Sequence, residues 1–195
     1  MLKEKLKNHK IILASGSPRR QQFFRDLELD FEIRLKEVEE IFPQNLKAAE
    51  ITDYLAKLKA DAFEGELNDN EILVTSDTIV WHNGKALGKP KDYEDAVAIL
   101  LSLSGSTHEV FTSVCFKTID KTAIINDVTK VSFNELTREE IAYYLETCKP
   151  YDKAGAYGIQ EWIGFIAVRK IEGSYANVMG LPVDKVYAYL NNFTK

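Results

Sequence analysis

The chain has 195 residues, of which 45 % are hydrophobic and 28 % charged, and 25 basic against 30 acidic side chains leave a net charge of -5. That is the composition of a soluble globular protein long enough for one domain with a sizeable core. The acidic balance argues against broad nucleic-acid binding, and no apolar run reaches the length of a membrane span.

The first seven residues mix basic and acidic side chains, and the apolar run Ile11-Ile12-Leu13-Ala14 is too short for a signal-peptide core, so a cytoplasmic location is expected. That run reads as a buried strand. A small polar loop, Ser15-Gly16-Ser17, follows it, and a helix opens with Ser17 as N-cap and Pro18 in the first turn, where its missing N–H costs nothing. Backbone amides and the positive end of a helix dipole favour an anion at such a place. Arg19 and Arg20 add two permanently charged forks suited to phosphate oxygens. The bland alternative is an ordinary helix start with two surface arginines, since no phosphate-loop consensus is matched.

Residues 31–35 alternate as a strand and run into the acidic turn Glu37-Val38-Glu39-Glu40. Residues 46–63 carry apolar side chains at helical spacing, with Lys57 and Lys59 on the helix and Gly65 placed to stop it. Ile72-Leu73-Val74-Thr75 is a short buried strand that delivers Ser76-Asp77-Thr78 at its C-terminal end. Ile79-Val80-Trp81 can extend it, and Asn83-Gly84 marks a hairpin into residues 85–90. Asp92 caps a helix over 93–103 that Gly105 ends. Residues 109–119 and 123–133 form a long antiparallel hairpin turning at Asp120-Lys121. Thr137-Arg138-Glu139-Glu140 is a capping box for a helix to about Thr147. A small, polar loop over 150–160, a strand over 165–171, a loop over 173–180 and a helix from Pro182 to about Leu190 complete the chain. This order predicts one mixed α/β domain over residues 1–195, with helices on both faces of a central sheet.

Among side chains that carry chemistry, Asp77 stands out, because open α/β sheets place their ligands just past buried strands. An Asp there also serves to cap or close a turn. Glu39 and Glu40 form a second acidic spot. Together with Asp77 they have the hard carboxylate oxygens that Mg²⁺ or Mn²⁺ selects, although a solvated turn is the plainer reading. Lys59 fits a helix's polar face, whereas Lys89 is directed by the rigid frame of Gly88 and Pro90. His9, His82 and His108 are scattered, and Cys115 and Cys148 lack CxxC or metal-ligand spacing. Zinc is therefore not expected, and the cysteines read as free thiols of a reducing cytosol. No GxSxG elbow is present, which argues against a serine hydrolase.

Ser15-Gly16-Ser17-Pro18-Arg19-Arg20, Glu40, Leu58-Lys59-Ala60, Ser76-Asp77-Thr78, Gly88-Lys89-Pro90, the run from Asp152-Lys153-Ala154-Gly155-Ala156 to Tyr157-Gly158-Ile159-Gln160, and the run from Gly173-Ser174-Tyr175 to Gly180-Leu181-Pro182 resemble, in order, the motifs of the Maf family over about residues 11–193. The resemblance implies a nucleoside triphosphate pyrophosphatase that releases a monophosphate and pyrophosphate and needs a divalent cation, Mg²⁺, Mn²⁺ or Co²⁺. It also implies a mixed twisted sheet with a cleft between two lobes, as in the inosine triphosphatase superfamily, and a homodimer. Nucleic acid and membrane are not among the implied partners. Carried over by position, Asp77 is the implied catalytic acidic residue and, with Glu40, a metal ligand. Ser15, Ser17, Arg19, Arg20, Lys59, Thr78, Lys89 and Gln160 are the implied substrate contacts. Arg19, Thr78 and Gln160 match positions of the branch that prefers dTTP and UTP, which implies a house-cleaning role that extends to CTP or modified pyrimidine nucleotides. Ser76, where Ala is common, and Glu161-Trp162, where small residues are common, depart from the pattern. A nucleotide-binding regulator of cell division or septation is the alternative the same resemblance carries.

Overall fold

The computed structural model describes residues 1–193. It begins with α1 (Leu2–Lys5), β1 (Lys10–Leu13), α2 (Pro18–Asp26), β2 (Phe31–Ile33), α3 (Ala49–Asp61), β3 (Glu71–His82) and β4 (Lys85–Leu87). There follow α4 (Tyr93–Leu103), β5 (Thr107–Lys117), β6 (Thr122–Phe133), α5 (Arg138–Cys148) and a 3-10 turn at Ala154–Ala156. The chain ends in α6 (Trp162–Ala167), β7 (Val168–Glu172), α7 (Tyr175–Val178) and α8 (Val183–Asn192). The strands form one mixed sheet in the order β2-β1-β3-β5-β6-β7, with β4 antiparallel to β3 at its side.

The chain partitions into two compact units, neither continuous in sequence. The first comprises Met1–Asp77, Thr112–Asp127 and the segment from Gly180; the second comprises Thr78–Phe111 and Val128–Met179. In the first, β1 lies in parallel between β2 and β3, so α2 and α3 supply the crossovers that parallel strands require. Strand side chains alternate between faces, and the packing follows that alternation. Ile11, Leu13, Ile72 and Val74 bury against Phe24 of α2, Leu2 of α1 and Val186 and Leu190 of α8. Ile12 and Leu73, one step out of phase, bury against Ala56, Ala60 and Phe63. Helices therefore cover both faces of this part of the sheet. In the second unit, Val80, Val110, Val131 and Phe133 pack with α4, α5 and the segment from Ala156 to Ala167.

The caps fall where the sequence puts them. Ser17 accepts from Arg20 N–H with Pro18 in the first turn, Asp92 accepts from Asp95 N–H at 2.8 Å, and Thr137 and Glu140 complete the capping box. Asn83 and Gly84 both have positive φ, as a two-residue hairpin of the I′ type demands.

Four expectations need correction. Residues 165–171 are not one strand: α6 covers the start and β7 only the rest, because Ile163 and Ala167 bury at helical spacing while Phe165 between them is 81 % exposed. The loop over 173–180 contains α7, whose N-cap Ser174 accepts from Asn177 N–H. Strand β2 stops at Ile33 rather than reaching Leu35, and Leu35 is exposed. Asp77 does not follow the end of a strand but lies inside β3, which runs on to His82. What ends near it is β1, whose last parallel partner in β3 is Val74.

Candidate active site

In the first unit, β1 hands the chain to a loop that is fastened before α2 begins. Ala14 N–H donates to Val74 O at 2.9 Å, Ser17 N–H to Ser15 Oγ at 3.3 Å, and Gln21 Nε2 to Ser15 O at 3.2 Å. Ser15 is buried, Ser17 and Arg19 are half-buried, and both arginines open α2. Arg20 turns back: its Nε donates to Gly180 O at 2.8 Å and its Nη1 to Ser76 O at 2.9 Å. Desolvation lowers its pKa to about 10; the Asp77 carboxylate opposes the shift, Arg19 adds to it, and Glu40 opposes it. Arg20 therefore keeps its charge at neutral pH, and the same interactions put Arg19, Arg20, Asp77 and Glu40 within one electrostatic neighbourhood.

Lys59 lies in the last turn of α3, which is tied to β3 through Thr75 Oγ1 donating to Ala56 O at 2.6 Å. Its Nζ sits 2.6 Å from Asp77 Oδ1 and 3.0 Å from Glu40 Oε1. The Asp77 side chain is 8 % exposed, that of Lys59 18 % and that of Glu40 45 %. Of the two readings open for Lys59, the solvated helix face is thus excluded. Glu40 likewise does more than solvate a turn.

Among the described residues, no group of three or more His, Cys, Asp or Glu side chains is gathered as a metal site. What is gathered is a pair of carboxylates about the Lys59 ammonium, with the Arg20 guanidinium close enough to feel both. Mg²⁺ and Mn²⁺ take one or two protein carboxylates and complete their shell with water and phosphate oxygens. Glu40 and Asp77 fit that requirement in type and number.

In the second unit, Thr78 is half-buried on β3, directly after Asp77 in sequence. Lys89 is exposed in a loop whose Gly88 O accepts from Gly155 N–H at 3.0 Å. Gly155 has φ +71°, and a Cβ there would lie 2.6 Å from Val80 Cγ2, so this contact requires glycine. Gln160 is half-buried beyond it. Sequence reasoning missed how the residues on either side of Gln160 are held: Tyr144 Oη accepts from Gly158 N–H at 3.0 Å and donates to the Glu161 carboxylate, which also lies 3.1 Å from Lys153 Nζ. The only signal was Glu161 itself, a charged residue at a position where a small one is common. His108 is buried with Nε2 2.7 Å from Tyr157 Oη, and desolvation lowers its pKa to about 3.

Residues 10–193 match the model of a family described as Maf-like protein. The chain is 72 % identical over 190 residues to a protein of Flavobacterium johnsoniae named dTTP/UTP pyrophosphatase, covering 97 % of this chain and 98 % of that one. A protein of the same name from Flavobacterium psychrophilum is 66 % identical over the full length of both chains. Among solved structures, the Staphylococcus aureus Ham1 protein superposes with a TM-score of 0.57 at 17 % identity, over 94 % of this chain and 99 % of the other, a likeness of fold.

Proposed function

The chain belongs to the Maf-like protein family, and on that premise we propose that it cleaves dTTP and UTP to the nucleoside monophosphate and pyrophosphate with the aid of a divalent cation. It is a nucleotide pyrophosphatase; the choice of base, the cation and the residue roles are the proposal. The observation that carries the chemistry is the Lys59 ammonium held between Asp77 and Glu40.

In this reading water attacks the α-phosphorus and the bond to the bridging oxygen of the β-phosphate breaks. Asp77 orients that water and takes its proton, and Lys59 fixes the direction of the Asp77 carboxylate. Arg19, Arg20 and Lys89 supply counter-charge as charge grows on the leaving pyrophosphate. Arg20 does so from a position set by two backbone carbonyls, so little reorganisation is needed during the reaction. Ser15 and Ser17 offer their hydroxyl protons at the start of α2 to a phosphate oxygen. Glu40 and Asp77 would hold Mg²⁺ or Mn²⁺, which supplies Lewis-acid neutralisation of phosphate charge when bound. Thr78 and the Gln160 carboxamide, each both donor and acceptor, meet the edge of the base. The free thiols of Cys115 and Cys148 agree with a reducing, cytoplasmic setting. No helix among the described residues is long and apolar enough to cross a membrane.

The test is pyrophosphate release from a panel of nucleoside triphosphates with Mg²⁺ or Mn²⁺. We expect dTTP and UTP to lead and a chelator to stop turnover. Asp77→Asn is expected to lower kcat by a factor on the order of 10²–10⁴ while nucleotide binding persists. Preference for purine nucleotides would overturn the base choice, and near-normal turnover by the variant would overturn the role of Asp77.

A further inference from the structure

Side chains two apart on a strand point the same way, so Leu73, Thr75 and Asp77 share one face of β3. All three meet α3. Leu73 packs in one cluster with Ala56, Ala60 and Phe63. The Thr75 hydroxyl donates to Ala56 O at 2.6 Å. Asp77 Oδ1 lies 2.6 Å from the ammonium of Lys59, which follows Ala56 by three residues. Thr75 and Ala56 are both wholly buried, so the bond between them is shielded from solvent.

The apolar contact sets how close α3 comes to the strand, but only weakly where along it. Ala56 and Ala60 offer one methyl group each, and so smooth a surface resists sliding little. A hydrogen bond has a direction as well as a length. The bond from Thr75 therefore fixes the helix along β3 in a way that the methyl groups do not. A carbonyl oxygen has two lone pairs, so Ala56 O serves Thr75 without leaving the helical ladder. At 2.6 Å the contact of Lys59 with Asp77 has no slack. A helix that shifts either draws the carboxylate with it or loses it, and a misplacement of about 1 Å at a reacting group can cost on the order of 10² in rate.

We propose that Thr75 is a positioning residue: through Ala56 it sets α3 so that Lys59 holds the Asp77 carboxylate in its working direction. This rests on the reading of Asp77 as the group that takes the proton from water, with Lys59 as its partner. Thr75→Val keeps the shape of the side chain and removes the hydroxyl, whereas Thr75→Ser keeps the hydroxyl and removes the methyl group. Each is measured alone, and Thr75→Val also together with Lys59→Met, by steady-state kinetics on UTP with Mg²⁺ and by melting temperature. Thr75→Val alone is expected to lower kcat about tenfold and leave KM for UTP within about twofold, and Thr75→Ser to keep kcat within about twofold of the wild type. Lys59→Met has already lost the contact, so adding Thr75→Val to it is expected to change kcat by less than about twofold. A general loss of folded enzyme would instead appear alike in both backgrounds. A wild-type kcat in Thr75→Val overturns the inference, as does a Thr75→Ser variant no better than Thr75→Val. An undiminished loss in the Lys59→Met background overturns it too, since Thr75 then acts by another route. Should Lys59→Met fail to fold or to turn over measurably, the comparison of Thr75→Val with Thr75→Ser decides alone. A Lys59→Met variant that turns over like the wild type overturns the reading of Lys59 instead.

Discussion

At the residue scale, the site is built from side chains far apart in sequence whose meeting no local pattern announces. Asp77 catches the eye as a carboxylate behind an apolar run, but the strand expected to end before it runs on to His82. The ion pairs of Lys59 with Glu40 and Asp77 are not legible, because helical spacing puts a lysine on a polar face without saying what faces it. Arg20 shows a further gap: read as a phosphate fork, it has two nitrogens committed to backbone carbonyls, one in β3 and one just before α8. Ser76 permits a clean prediction. Its Oγ is buried with no hydrogen-bond partner among the described residues, while its carbonyl serves Arg20. A buried unsatisfied hydroxyl is a cost the folded state bears. Ser76→Ala is therefore expected to raise stability by about 1 kcal/mol with turnover unchanged, as read by thermal denaturation beside the pyrophosphate assay.

At the element scale, structure is legible where one residue type answers one backbone need. The caps at Ser17, Asp92 and Thr137 and the turn at Asn83-Gly84 are of that kind. The run from Phe165 is not, since Phe, Ile, Ala and Val serve a buried strand as well as a helix. The decision there is tertiary. Gly164 lets α6 close onto the preceding loop: a Cβ would lie 1.8 Å from Ile159 O, and Gly164 N–H donates to Glu161 O at 2.9 Å. Nothing in that contact yields, because the obstacle is backbone. Gly164→Ala is expected to cost about 3 kcal/mol, the upper end of overpacking, and to raise KM for UTP by displacing the Gln160 turn. Denaturant unfolding and steady-state kinetics check the two parts separately.

At the scale of the whole molecule, one contribution to the response to acid arises where three parallel strands meet. Glu71 opens β3 with a side chain 1 % exposed. It takes a bidentate pair from Arg34 at 2.8 and 3.1 Å, and Lys10 of β1 lies 3.8 Å away. Arg34 foremost, with help from Asn68 N–H, holds Glu71 down from its ordinary 4.5 to about 2. A carboxylate depressed in the folded state stabilises that state above its ordinary pKa, and the contribution is lost as pH falls from about 4.5 to about 2. Arg34→Leu strands a buried charge and is expected to cost about 3 kcal/mol at neutral pH. The deficit relative to wild type should shrink in acid as Glu71 protonates; a gap constant from pH 7 to pH 3 in urea titrations would refute this account.

The chain passes between its two units inside β3, β5 and β6 and again before Gly180. The first unit draws Leu181, Val186 and Leu190 into the same core as Ile11 and Ile72. On the ribosome, then, the half of the protein that begins first is finished last. The face of its opening strands that α8 completes must wait, only partly covered, while the whole second unit is synthesised. Nascent chains halted before Gly180 would offer that partly covered face to chaperones.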